Sequence, residues 1–111
     1  MDRHFVRGNL NMLILSLLQQ GPLYGLQVAK QLAALIDGQD DAPPLSYGSV
    51  YPALHRLEQQ ALIAGIDAPS PGGARPIRQY HLTAEGAIEL KRLQAAQRKF
   101  VEQLSALWGE A

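Results

Sequence analysis

Several features that define common classes of protein are missing from this sequence. Cysteine is absent, which excludes disulfide bridges, thiol nucleophiles and thiolate metal sites and is compatible with a reducing compartment. No run reaches the roughly 18 to 20 apolar residues that a membrane-spanning helix requires. The N-terminal residues carry charge and precede only a short apolar run without a small-residue cleavage site. We therefore expect no signal peptide and a cytoplasmic location.

An excess of charge of either sign is also missing. Ten basic and ten acidic residues give a formal net charge of zero, whereas a basic surface is the usual mark of a nucleic-acid-binding domain. The 111 residues can form one domain with a modest core, near the size at which a partner subunit adds to the buried area. We expect only modest non-specific affinity for a polyanion.

No arrangement of residues predicts catalysis, a metal site or a bound cofactor. His4, His55 and His81 are far apart in the sequence, and no cysteine accompanies them to complete a zinc site. No serine lies in a nucleophile elbow, and no glycines have the spacing of a phosphate-binding loop. The aspartates of residues 37–44 lack calcium-loop spacing, so we interpret them as solvated charges.

The stretch LSYGSVYPALHRLEQQALI, residues 45–63, is predicted to form the helix around which the chain is organised. Ser46 precedes the periodic run and has the short hydroxyl side chain that suits an N-cap. Pro52 removes one helical hydrogen bond and presses on the carbonyl of Gly48, which predicts a loosened first turn. Alternatively, this pair marks a loop and the helix begins later. The apolar residues that recur at helical period are Val50, Leu54, Leu57 and Ala61.

The opposite face of this helix carries hydrogen-bond donors, one aromatic ring and almost no acid. Such a face suits the base edges and phosphates of DNA. A protein-binding face would display aromatic and apolar anchors instead. Two interpretations stay open, a DNA-recognition helix and a helix of a module that binds protein, and the neutral net charge favours the second. The residues of this face are Ser49, Tyr51, Pro52, His55, Arg56 and Gln59.

The remaining segments predict a mainly α-helical chain with a small β-hairpin. Asn9 is placed to cap a helix that is apolar nearly all round. A small domain seldom encloses such a helix completely, which favours a second subunit over a monomer with a central helix. The predicted segments are an arm over 1–8, a helix over 10–20, a tight turn at 23–25, a second helix over 26–36 and strands over 62–68 and 76–82.

The final helix is predicted to continue beyond the globular core. Thr83 is a good N-cap, and Glu85 lies in the first turn, where a carboxylate favours the helix dipole. Further on, a three-four repeat forms a coiled-coil seam that requires a partner, and a two-fold copy of the chain is the simplest one. The predicted dimerisation residues are Leu90, Leu93, Gln97, Phe100, Leu104, Leu107 and Trp108, with Gln97 as the one polar position.

Three stretches, in the right order, resemble the signatures of the PadR family of winged-helix transcriptional regulators. GSVYPALHRLEQQALI, residues 48–63, resembles the recognition helix of the family. GPLYGLQVAKQL, residues 21–32, resembles its second helix, and ARPIRQYHLTAEG, residues 74–86, resembles its wing. The departures from the family pattern are Leu26 in place of an aromatic, Ala61 in place of a common glycine, and Ala74 in place of the glycine before Arg75.

The resemblance implies a winged helix-turn-helix DNA-binding domain over 1–83 and a C-terminal dimerisation helix over 84–111. It implies a homodimeric, sequence-specific regulator that binds double-stranded DNA at an inverted-repeat operator. It also implies that the regulator is a repressor and that a small-molecule effector can relieve the repression. It also favours phosphate or minor-groove contacts for the wing arginines over a merely solvated hairpin. The predicted DNA-binding residues are Ser46, Tyr47, Ser49, Tyr51, Pro52, His55, Arg56, Arg75 and Arg78.

Overall fold

The structure is a computed structural model that describes residues 1–36, 47–70, 72–73 and 76–110, apart from the side chain of Tyr47. The predicted N-cap Ser46, the aspartate-rich loop and the tip residues Ala74 and Arg75 lie outside the described residues. The described elements are α1 (Arg3–Gly8), α2 (Leu10–Gln19), β1 (Leu23–Tyr24), α3 (Gly25–Leu35), α4 (Tyr47–Gln59), β2 (Ile63–Ala68), β3 (Ile77–Leu82) and α5 (Ala84–Leu107).

The strands form a three-stranded antiparallel sheet in the order β1-β3-β2. Strands β2 and β3 pair from Ile63 opposite Leu82 to Ala68 opposite Ile77, close to the predicted hairpin. Leu23 lies opposite Tyr80 and α3 begins at Gly25, so the segment predicted as a tight turn at 23–25 is a short strand that leads into a helix. A strand of two residues has no periodic signal of its own, and only the neighbouring β3 defines it.

A single apolar core lies between α2, α3, α4 and the sheet. The stripe predicted on α4 is confirmed for Val50, Leu54 and Leu57, which are fully buried, and this burial fixes which face of α4 remains accessible. Its fourth predicted member, Ala61, is exposed and follows the helix. The buried core consists of Val6, Ile14, Leu15, Leu18, Val28, Ala29, Leu32, Val50, Ala53, Leu54, Leu57, Ile63, Tyr80 and Leu90.

Ala61 terminates α4 in a left-handed conformation, with a φ of 61°. The Leu62 N–H donates to the Leu57 carbonyl at 3.0 Å, and the Ala61 N–H donates to the Glu58 carbonyl at 3.0 Å. This pair of hydrogen bonds is the Schellman motif, which favours glycine at the left-handed position. The conformation explains why Ala61 cannot belong to the buried stripe, since the chain leaves the helix there.

Replacement of Ala61 by glycine is expected to raise the free energy of unfolding by about 1 kcal/mol, because glycine adopts the left-handed region without a Cβ clash. The thermal midpoint should rise by roughly 4 °C for a domain of this size. Ala95→Gly, in the exposed middle of α5, is the matched control and should lose about the same amount. Loss of stability in both variants, measured by thermal and urea unfolding, would contradict a conformational cost at Ala61.

The helix caps differ in part from prediction. The Asn9 side chain makes no capping hydrogen bond to α2; its Nδ2 instead donates to the Phe5 carbonyl at 2.8 Å. Asn9 therefore occupies the predicted N-cap position of α2, but its side-chain amide bonds to α1 and does not cap α2. Asp2 caps α1 by accepting from the His4 N–H at 2.7 Å.

The start of α5 is tied to the junction between α4 and β2. The predicted cap at Thr83 is confirmed, since its Oγ1 accepts from the Gly86 N–H at 3.0 Å. The same hydroxyl lies 2.7 Å from the Ala61 carbonyl oxygen and 2.9 Å from that of Leu62. A Cβ on Gly86 would lie 1.9 Å from the Leu62 carbonyl oxygen, so only glycine allows this approach.

Candidate nucleic-acid interface

Helix α4 divides into a buried face and an exposed polar face. Ser49, Tyr51, Pro52, His55 and Arg56 are all exposed, while the residues between them enter the core. The helix begins at Tyr47 and contains Pro52, so the alternative in which the helix begins later was wrong. The division follows from the helical period, which places positions 52, 55 and 59 opposite the buried stripe and positions 49, 51 and 56 at its edges.

Two aromatic side chains lie together on this exposed face. The rings of Tyr51 and His55 are stacked, with centroids 6.1 Å apart and an interplanar angle of 16°. Residues four apart are neighbours on a helix surface, and stacking restricts the rotamers of both side chains. Tyr51 nevertheless remains 44% exposed. The helix therefore displays a flat aromatic ring whose hydroxyl can donate or accept a hydrogen bond.

Proline and serine provide different contacts in the first half of α4. Pro52 has no N–H and cannot give the Gly48 carbonyl its usual helical hydrogen bond. Its exposed ring offers an apolar surface of the kind that packs on a thymine methyl group. Ser49 is exposed one turn earlier and brings a hydroxyl to the same end of the helix.

Arg78 is held by carboxylates within the chain. Its Nε donates to Glu58 Oε1 at 3.3 Å, its Nη2 donates to Glu58 Oε2, and its Nη1 donates to Asp67 Oδ1 at 3.2 Å. The hydrogen bond from Arg78 holds the pKa of Glu58 below its usual value. The stabilisation from Glu58 is therefore present above the ordinary glutamate pKa and is lost as the pH falls through the lowered value.

The Arg78 guanidinium, which was predicted to contact DNA phosphate, is engaged by Glu58 and Asp67 within the chain, and the phosphate contact stays a prediction. The sequence does not reveal this ion pair, because Glu58 and Arg78 are twenty residues apart and belong to different elements. The only signal in the sequence was that both positions fall within family signatures. The other wing arginine, Arg75, lies outside the described residues.

Arg56 lies on the exposed face of α4 and also borders a cleft. It lines an open cleft of about 610 Å³ between the start of α2, the end of α4 and the middle of α5. Arg7 and Arg92 lie on the other walls, with Leu93 and Phe100 providing apolar surface. Arg92 forms an ion pair with Glu89. The cleft thus combines cationic and apolar groups and touches the same helix that carries the exposed polar face.

The predicted seam of α5 separates into two parts. Leu90 is fully buried in the core of the same chain, so it has no surface to offer to a partner, and its assignment to the dimer seam is corrected. Leu93 is half-buried and packs against this core. From Gln97 onward the helix leaves the core. Its exposed apolar side chains include Phe100 at 60%, Leu107 at 83% and Trp108 at 65%, whereas Leu104 is half-buried.

Metal-binding clusters and membrane-spanning helices are both absent from residues 1–36, 47–70, 72–73 and 76–110. No group of three or more histidine, aspartate or glutamate side chains there could hold a metal ion. Among the described helices, none is long and apolar enough to cross a membrane.

The helical core, the recognition helix and the β2–β3 wing together define a winged helix-turn-helix protein with a long C-terminal helix. The model of the transcriptional regulator PadR-like family matches residues 14–92. The chain belongs to this family, whose members are transcriptional regulators and not enzymes. The predicted family and fold class are confirmed.

Solved structures of family members resemble 90% or more of the chain. A PadR family regulator from Eggerthella lenta is 30% identical, with a TM-score of 0.78, covering 95% of this chain and 86% of its own. A PadR-like regulator from Bacillus cereus is 25% identical, with a TM-score of 0.75 and coverages of 97% and 99%. One from Clostridium difficile is 27% identical, with a TM-score of 0.68 and coverages of 90% and 97%. No curated protein matches the sequence.

Proposed function

We propose that the protein is a homodimeric, sequence-specific DNA-binding repressor that acts on genomic DNA in the cytoplasm. The observation that carries the proposal is the exposed face of α4. Hydroxyl, aromatic, imidazole and guanidinium groups project there, and the first turn of the helix carries no acid. In a helix-turn-helix domain this element enters the major groove, where such groups meet base edges and phosphates.

The proposed contacts follow the direction of α4. Ser49, Tyr51 and Pro52 lie towards its N-terminus, the part of a recognition helix that reaches base edges. His55 and Arg56 follow one turn later and are assigned to the groove wall and phosphate. Ser46, Tyr47 and Arg75 keep their predicted roles as DNA contacts.

The proposed dimer uses the part of α5 that leaves the core, together with α2. Phe100, Leu107 and Trp108 are too exposed to serve the core of one chain, and Met12 and Phe100 line the same cleft beside α2. A two-fold copy covers such a surface with identical side chains. It also presents two recognition helices, so the operator is an inverted repeat with half-sites spaced by roughly 10 base pairs or a multiple of that.

An effector is proposed to bind between the last helices and the first helices of this dimer. Arg7, Arg56 and Arg92 give that region a cationic lining, which suits a small or polar ligand better than a flat aromatic one. Arg56 belongs to α4, so a ligand there contacts the DNA-reading element directly. Trp108 is the only tryptophan and serves as the probe. Unchanged fluorescence and thermal midpoint across a broad ligand library would contradict an effector.

Replacement of Tyr51 by alanine is expected to reduce discrimination between operator and scrambled duplex. The loss should be about 1 to 3 kcal/mol for each base contact removed. Affinity is measured by gel shift on a duplex selected from genomic fragments, at several salt concentrations. Tyr51→Phe is the matched control, because it retains the ring stacked on His55 and removes only the hydroxyl.

The wing variant Arg75→Ala should behave differently from Tyr51→Ala. It should weaken binding to all duplexes alike and reduce the slope of log affinity against log salt by about one unit. Full specificity in Tyr51→Ala, together with lost specificity in Arg75→Ala, would show that α4 is not the reading element. Absence of binding by the wild type to any genomic fragment would favour the alternative, a winged-helix module that binds protein.

A further inference from the structure

Arg78 joins three elements that surround the proposed DNA-binding surface. It lies on β3 directly opposite Asp67 on β2, and its side chain extends to Glu58 on α4. The guanidinium engages both carboxylate oxygens of Glu58 and one of Asp67. Paired hydrogen bonds of this kind fix direction as well as distance. The recognition helix and both strands of the wing therefore meet at one planar group.

Gly65 provides the space that this arrangement requires. A Cβ on Gly65 would lie 2.5 Å from Arg78 Nε and 2.9 Å from its Cζ. The arginine side chain thus lies flat over bare backbone in β2 on its way to the helix. The backbone of Gly65 also contributes to the lowered pKa of Glu58, after the larger effect of Arg78. We call the group formed by Arg78, Glu58 and Asp67 the clamp. Strand β2 contributes to the clamp with its backbone as well as with Asp67.

The local charge disfavours a phosphate contact by this arginine. One guanidinium faces two carboxylates, so the cluster has a net charge of about −1 and would repel a phosphate. Three of the five guanidinium N–H donors are engaged, so a phosphate would have to approach the remaining two against this net charge. The side chains of Arg78 and Glu58 keep 38% and 27% of their surface exposed. Solvent screening therefore makes the pair a small contributor to overall stability, and variants of it should still fold.

We infer that Arg78 is a positioning residue, which holds the wing at a fixed orientation to the recognition helix through Glu58, Asp67 and the bare backbone at Gly65. It determines how well α4 and the wing engage one operator simultaneously and does not itself contact phosphate. The inference rests on the proposed DNA-binding function and deepens it, since it assigns a specificity role to a residue that touches no base.

The variants that test this role change the clamp in different ways. Arg78→Ala removes the guanidinium, and Arg78→Lys keeps the positive charge but loses the planar fork that grips both oxygens of Glu58. Glu58→Ala removes the partner on α4. Gly65→Ala keeps every charge and displaces the arginine. Lys91→Ala, on an exposed site of α5, controls for the loss of one positive charge.

Affinity for the operator and for a scrambled duplex is measured across several salt concentrations, below the thermal midpoint of each variant. Each clamp variant should lose about five- to tenfold in operator affinity, with a smaller change on the scrambled duplex and an unchanged salt slope. Arg78→Lys should not rescue binding. The double variant Glu58→Ala/Arg78→Ala should be no weaker than either single variant, because both remove the same contact.

A phosphate contact predicts the opposite pattern. In that case Glu58→Ala would tighten binding by releasing the guanidinium, Arg78→Lys would retain affinity, and Arg78→Ala would flatten the salt slope by about one unit. Either this pattern or unchanged affinity in every clamp variant would overturn the inference. Failure of the wild type to bind any duplex would overturn the proposed function first, and this inference with it.

Discussion

Replacement of Gly86 by alanine is expected to destabilise the protein by about 3 to 5 kcal/mol, among the largest effects of a single methyl group. The new Cβ would meet the Leu62 carbonyl oxygen at 1.9 Å and a Leu82 side-chain carbon at 2.7 Å. The carbonyl is backbone at the start of β2 and cannot rotate away as a flexible side chain can. The thermal midpoint should fall by roughly 10 °C or more.

Gly8→Ala is the matched control for this substitution. Gly8 is also helical, and a Cβ there would meet nothing within 4 Å. Its replacement should be neutral or slightly stabilising, since alanine has the higher helix propensity. A thermal or urea midpoint that is equal in the two variants would contradict the close approach of α5 to the α4–β2 junction.

Replacement of Phe100 by aspartate is expected to convert the proposed dimer into a folded monomer. The side chain is 60% exposed in the single chain, so a carboxylate there remains hydrated when the subunits separate. In the dimer the two-fold axis would bury two such charges without partners. The dissociation constant of the dimer should rise by at least ~100-fold. Leu104→Asp should act in the same direction, with some loss of fold because Leu104 is half-buried.

Ala95→Asp is the control for the dimer experiment. Position 95 lies about 140° around the helix from position 100 and is exposed, so it tests the effect of aspartate on the helix alone. Sedimentation velocity at micromolar concentration measures the oligomeric state, and circular dichroism verifies folding. A wild-type monomer at this concentration would contradict the proposed assembly. An unchanged dimer in Phe100→Asp would remove Phe100 from the interface.

Dimerisation and DNA binding are connected by this experiment. A monomer carries one recognition helix, so it can engage only one half-site of an inverted repeat. The affinity of the Phe100→Asp variant for a single half-site should therefore equal that of one wild-type subunit. Its affinity for the complete operator should lose the gain that comes from binding two half-sites at once. The effect differs from that of Tyr51→Ala, which impairs each half-site separately.

The sequence alone determined those features that depend on neighbours along the chain. The helical period of Val50, Leu54 and Leu57 predicted both the buried face of α4 and the polar face opposite to it, because the position around a helix follows from residue number. Thr83 was recognisable as a cap because its hydroxyl acts on an N–H three residues away. Three ordered signatures predicted the family, which its matching model confirms.

Only the tertiary structure decided which residues from distant parts of the chain meet. Leu90 and Phe100 belong to the same three-four repeat, yet Leu90 is buried in the core of the chain and Phe100 is exposed. No periodic pattern could separate them, because exposure depends on what the other elements cover. From its place in the wing, Arg78 was predicted to face phosphate. Only the fold shows that Glu58 and Asp67 lie beside its guanidinium. A side chain's partners depend on distances in space, and twenty residues of sequence do not specify them.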